Sequence, residues 1–153
     1  MTKIEEKRKG EMFRGDLGFL SNFHNSYPHQ FNWKGVSWCN AEAAYQYSKI
    51  DPERQPKLLP MFSVMDPSDS KQIGKVINLR EDWDEVKLDI MNSLVTAKFT
   101  SNRTLGEKLK KTGKKKLVEW NWWGDTFWGK DIKTGKGDNH LGKILMNIRD
   151  NIL

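Results

Sequence analysis

The stretch "FNWKGVSWCNAEAAYQYSKI", Phe31 to Ile50, carries two periods back to back. Its first part alternates loosely around Lys34-Gly35 and reads as a short hairpin. Its second part opens on Asn40, a good N-cap residue, and runs on as a helix that Pro52 closes. Strand pair and helix in direct succession point to a mixed architecture.

Working outward, the chain turns mostly helical. "PERQPKLLPMF" is punctuated by proline and reads as irregular. Asp66-Pro67 then supplies an N-cap with proline at the first helical position. Asp82 with Glu85 forms a capping-box pattern ahead of a further helix. In that helix Trp83, Val86, Ile90, Met91, Leu94 and Val95 keep helical spacing, so one face is core. A shorter helix around Leu105 and Leu109 stops at Thr112-Gly113. "KKLVEW" is a short strand candidate. The last helix places Leu141, Ile144, Leu145, Ile148 and Ile152 on one stripe. The expected fold class is α+β, a mostly helical single domain with a small β-hairpin or sheet. Residues 1–12 are expected as an N-terminal lead-in and residues 13–153 as the domain.

Composition sets outer limits. With 153 residues, 37% hydrophobic and 30% charged, the chain suits one globular domain with a sizeable core. No apolar run approaches a membrane span, and the charged N-terminus is unlike a signal peptide, so a cytoplasmic protein is expected. The single Cys39 excludes an internal disulfide, and three histidines offer no metal-ligand cluster. The formal charge of +6 suggests anionic partners weakly. Its densest run, "KLKKTGKKK" from Lys108 to Lys116, reads first as a solvated helix end and turn.

Chemistry has three places to sit. After Asn40, Glu42, Gln46 and Lys49 share one helix face, with Glu42 in the first turn where the helix dipole favours a carboxylate. An ordinary exposed face is the plain alternative, but Trp38, Tyr45 and Tyr47 leave little of that helix to water. The second place is "VEWNWWGDTFWGK", Val118 to Lys130, which holds four of the seven tryptophans. There Gly124-Asp125 reads as a turn. Asp125 either ties down backbone amides or stands as a carboxylate against an aromatic wall. If "KLVEW" is a strand, Val118, Trp120 and Trp122 share a face, and Trp120 and Trp122 are expected in the core. The third place, "GDLGFLSNFHNSY" from Gly15, offers Ser21 and Asn22 as donors between Phe19 and Phe23, without a phosphate-loop glycine pattern.

Taken in order, these residues resemble the YbiA-like, or NADAR, family. The matching stretches are "GFLSNF" (Gly18 to Phe23), "WCNAEAAYQYSK" (Trp38 to Lys49), Gly74, Trp83, Met91 and "AKF" (Ala97 to Phe99). They continue through "TGKKKLVEW", Asp125, "WGK" (Trp128 to Lys130) and "NHLGKILMNIR". Each is weak alone, and the ordered set spans residues 13 to 150. Ala43 stands where the family pattern usually has histidine, and the segment after Trp128 is short.

The resemblance implies an N-glycosidase that splits a ribose C1′–N bond to an exocyclic amine, with neither metal nor redox cofactor. Its substrate would be a nucleotide-like small molecule, a phosphoribosylamino-pyrimidine of riboflavin biosynthesis, or an ADP-ribosylated guanine, including one in nucleic acid. A non-catalytic ADP-ribose or nucleotide-binding module is the alternative. The site residues then expected are Glu42, Lys49 and Asp125 as catalytic groups. Gly15, Ser21, Asn22, Phe23, Gln46, Trp83, Trp128, Gly129 and Asn139 are expected around the substrate, with Trp128 as a stacking platform. Two routes fit those residues. In one, Lys49 attacks C1′ of a ring-opened ribose and forms a Schiff base while Glu42 moves protons. In the other, Glu42 or Asp125 activates water directly.

Overall fold

A computed structural model describes residues 1–153. In chain order the elements are α1 (Lys3–Gly10), a 3-10 turn (Gly15–Leu20), β1 (Phe31–Trp33), β2 (Val36–Trp38), α2 (Ala41–Ser48) and α3 (Gln55–Ser63). They continue with α4 (Pro67–Gly74), α5 (Trp83–Ser101), α6 (Arg103–Lys111), β3 (Trp120–Asn121), β4 (Lys130–Asp131), α7 (His140–Asn147) and a π turn (Ile148–Ile152). The fold is the mostly helical α+β class expected. No helix is long and apolar enough to cross a membrane. The chain divides into two units, Asn22–Gly106 and Met1–Ser21 with Glu107–Leu153.

The unit of residues 22–106 is built around the hairpin and α2. β1 and β2 pair antiparallel, Phe31 opposite Trp38 and Trp33 opposite Val36. Lys34 and Gly35 both take positive φ, 52° and 77°, as a two-residue hairpin turn of the primed type requires. Trp38 donates its indole N–H to Trp33 O (3.0 Å) and packs on Tyr47, which packs on Phe62. This run of rings binds hairpin, α2 and α3, and burying each ring is worth about 1.5–3 kcal/mol. Asn40 starts α2 as expected: its Oδ1 accepts the Ala43 N–H (2.7 Å). Its Nδ2 donates to Asn25 Oδ1 and Met65 O, so one amide ties three segments. Asp66 caps α4 through the Ser68 N–H (2.8 Å). Trp83, Met91, Leu94 and Val95 of α5 are buried, with Val86 and Ile90 at the margin.

In the other unit, Met12, Val118, Trp120 and Ile132 form a core cluster. β3 and β4 pair parallel, Trp120 beside Lys130. Leu141, Leu145 and Ile148 line the inner side of α7 and the turn after it.

Within the first twelve residues Lys3–Gly10 form α1, capped by Thr2; Arg8 donates to Ile132 O (3.0 Å) and lies over the Trp120 ring. Several expectations are corrected. The proline-punctuated stretch is α3. Pro56 sits in its first turn, where no amide donor is needed, and buried Phe62 holds the remainder despite Pro60. The capping box at Asp82 does not form, because its carboxylate takes two bonds from Arg80 (2.6 and 3.1 Å). The strand read over "KKLVEW" shrinks to Trp120–Asn121, and Trp122 is 58% exposed rather than core. Ile152 is exposed as well, since the wider π turn carries it off the stripe of α7.

Candidate active site

One face of α2 gathers the chemistry. Glu42 stands in the first turn, its N–H bonded to Asn22 O (2.9 Å), and its side chain is buried. One turn on, Gln46 is 4% exposed and donates its Nε2 to Glu42 Oε2 at 2.7 Å. That bond fixes the carboxylate's rotamer. The other end of the amide, Oε1, has no hydrogen-bond partner and faces Gly74 of α4, where a β-carbon would collide with it. The two helices approach this closely only because residue 74 is glycine.

Lys49 is the C-cap of α2, still in helical conformation, so it continues the face of Glu42 and Gln46. Its Nζ is 5.0 Å from the Tyr45 ring centroid and 6.0 Å from that of Trp83, and the two rings pack at 5.3 Å. Burial lowers the Lys49 pKa from the usual lysine value; the Glu42 carboxylate opposes this, and the Lys71 ammonium adds to it. The aromatic faces favour the ammonium. The outcome is an amine whose proton is easier to remove than that of a surface lysine, on the same helix face as a carboxylate about two turns away.

The surroundings come from three further segments of this unit. Asn22 donates to Met91 Sδ on α5 (3.5 Å), and Phe23 follows it with its ring partly exposed. Trp83, at the start of α5, is buried and forms the aromatic wall behind Lys49, so it is both core and wall. Lys71 of α4 stands over the Phe23 ring at 5.6 Å. Sequence reading missed Lys71. Nothing in "DPSDSKQIG" says which face of α4 meets α2.

The remaining candidates lie in the other unit. Asp125 Oδ1 accepts the backbone N–H groups of Phe127 (3.1 Å) and Trp128 (2.9 Å), which is the amide-tying role. Asn121 clasps the same loop, accepting from Asp125 N–H and donating to Asp125 O (3.0 and 2.8 Å). Trp128 is half-buried and meets Phe127 edge-on at 4.7 Å. Gly129 packs against Glu119 O, where a β-carbon has no room. Asn139 is buried at positive φ, donating to Leu117 O (3.0 Å) and accepting from Glu119 N–H (3.0 Å). Gly15 takes φ of 57° at the start of the 3-10 turn that Ser21 ends.

Comparison with known proteins adds a second line of observation. The family model described as the NADAR domain matches residues 12–153. An N-glycosidase of Nostoc punctiforme is 36% identical over 138 residues, spanning 88% of this chain and 85% of the relative. A riboflavin biosynthesis protein of Vibrio vulnificus is 34% identical over 138 residues, but the match covers only 35% of that longer protein. The NMR structure of the E. coli protein YbiA superposes with a TM-score of 0.74 at 29% identity, covering 90% of this chain and 79% of that one.

Proposed function

The chain belongs to the NADAR domain family and is an N-glycosidase like its curated relative, and we propose that the bond it cleaves joins C1′ of a ribose to an exocyclic amine of a nucleotide-like substrate. A phosphoribosylamino-pyrimidine is one such substrate, supported by the name of the Vibrio relative. ADP-ribosylated guanine carries the same kind of bond. The observation that carries this reading is the Lys49 amine, half-buried against Tyr45 and Trp83 on the face that also holds Glu42.

The chemistry follows from those two groups. A ribose bonded through an exocyclic nitrogen opens to an imine at C1′. Neutral Lys49 adds its lone pair to that carbon, and the Glu42 carboxylate carries the two protons of the Lys49 amine to the exocyclic nitrogen, so the C1′–N bond to the base breaks as the amine departs. The sugar stays on Lys49 as a Schiff base. The Glu42 carboxylate next takes a proton from water as it adds to C1′ and hands it to the Lys49 nitrogen. Collapse of that adduct frees the sugar aldehyde and restores the amine, so one water is consumed per bond cleaved. Gln46 keeps Glu42 oriented through both proton transfers. The second reading, direct attack by a water that Glu42 activates, needs no covalent sugar.

Incubation with both substrate classes, followed by mass spectrometry of released base and sugar, tests the bond. Borohydride added during turnover tests the route: a reduced sugar adduct on Lys49 is expected. Turnover without any adduct would transfer the case to direct water attack, and binding without release of base would make the protein a nucleotide-binding module.

A further inference from the structure

The mechanism above uses one lysine, yet a second ammonium, that of Lys71 on α4, also bears on the site through Lys49. Gly74 of α4 lies against Gln46, which fixes the side of α4 that meets α2. Lys71 is three positions earlier on the same helix and therefore on that side. Its Nζ is 5.6 Å from the centroid of Phe23. Phe23 in turn follows Asn22, whose carbonyl holds the Glu42 N–H. Lys71 is thus placed beside the first turn of α2, near enough for its charge to act on Lys49. With Glu42, Lys49 and Lys71 all ionised, the group carries one positive charge in excess. Exposure rises outward across it: Glu42 and Gln46 are buried, Lys49 and Lys71 half-buried, and Phe23 is 38% exposed. A site graded in this way keeps the reacting bond inside and leaves a cation at the wet rim.

We propose that Lys71, standing over Phe23, is the anion subsite of this site and holds a phosphate on O5′ of the substrate ribose. The assignment rests on the N-ribosyl reading above and adds the group that recognises the sugar's far end. The Phe23 ring lies against one side of the ammonium, and a phosphate oxygen would accept a charge-assisted hydrogen bond from Lys71 Nζ. Because the phosphate sits a ribose away from C1′, one bound sugar can span Lys71 and Lys49. Its negative charge offsets the field of Lys71.

Competition binding with ribose, ribose 5-phosphate and ADP-ribose tests this without requiring turnover. The wild type should bind ribose 5-phosphate about ten- to a hundredfold more tightly than ribose, the range for a hydrogen bond to a charged group. Lys71→Gln should bring that ratio close to one, and Lys71→Arg should keep most of it. ADP-ribose tighter than ribose 5-phosphate would assign the subsite to a diphosphate; the reverse would assign it to a monoester. Equal binding of ribose and ribose 5-phosphate by the wild type overturns the proposal, whatever the variants do. So does a Lys71→Gln protein that weakens both ligands by the same factor, since Lys71 would then act only through Lys49. A protein that prefers ribose 5-phosphate but releases base from neither N-ribosyl substrate keeps the subsite and loses the proposed reaction.

Discussion

The face of α2 and the tryptophan-rich loop from Asn121 to Asp131 are both crowded with polar groups among aromatic rings, yet they use those groups differently. In the loop, Asn121 and Asp125 bond to backbone amides and carbonyls, and Asn139 does the same for Leu117 and Glu119. Such bonds hold an irregular segment that two-residue strands cannot hold alone. On α2, the helix already satisfies its own backbone. Glu42, Gln46 and Lys49 are left to face one another, and Gln46 even keeps a buried oxygen without a partner. Regular structure releases side chains for chemistry; irregular structure recruits them as struts.

Variants can break or sharpen that contrast. The largest effect is expected from Lys49→Arg, which keeps the charge but supplies no neutral amine at working pH. Its turnover should fall to background, and borohydride should leave no adduct. A fully active arginine variant would remove the covalent route. Next comes Glu42→Gln, which preserves shape and deletes the proton carrier. Its kcat should fall about 10²–10⁴-fold, the usual contribution of general acid–base catalysis, with Tm little changed. Near-normal turnover would eliminate Glu42 as acid or base.

Asn139→Ala probes the strut side. It strands Leu117 O and the Glu119 N–H in a buried place, which should cost about 2–5 kcal/mol in urea unfolding. Unchanged stability with a raised KM would move Asn139 from strut to substrate contact. The smallest effect is on pH. Lys49 must be neutral to attack, so kcat/KM should rise with pH through its depressed pKa and level off before the usual 10.5. Glu42 raises that pKa, so in Glu42→Gln a Lys49-selective acylation should start at lower pH; in Lys71→Gln it should start at higher pH. Stability carries the same sign. Between the depressed pKa and 10.5 the unfolded chain holds a proton that folded Lys49 lacks, so stability rises with pH across that window. Below the window the cost of burying the ammonium is fully present.

What could be read from sequence was what neighbours in sequence decide. The Lys34-Gly35 turn and the caps at Asn40 and Asp66 are set within a few residues, and each stands where expected. The alignment of Glu42, Gln46 and Lys49 follows from helical spacing alone. Misreadings arose where a competitor or a distant contact intervened. Arg80 takes the carboxylate that would have capped α5, and Phe62 pulls a proline-broken segment into a helix. Trp122 lies on a bend held by Asn121 and Asp125, which turns its indole outward where strand alternation would have buried it. Lys71 was invisible because only the meeting of Gly74 with Gln46 tells which way it looks.

That meeting also orders the substitutions this chain can tolerate. Any side chain at position 74 strikes the Gln46 amide, so Gly74→Ala should displace Gln46 and loosen its bond to Glu42. A shorter residue at position 46 gives up the bond first and opens the space. Gly74→Ala should therefore be harmful in the wild type and nearly silent once Gln46→Ala is present, a coupling that a double-mutant cycle reads directly. The two positions form a one-way gate: position 46 can change first, and position 74 only after it.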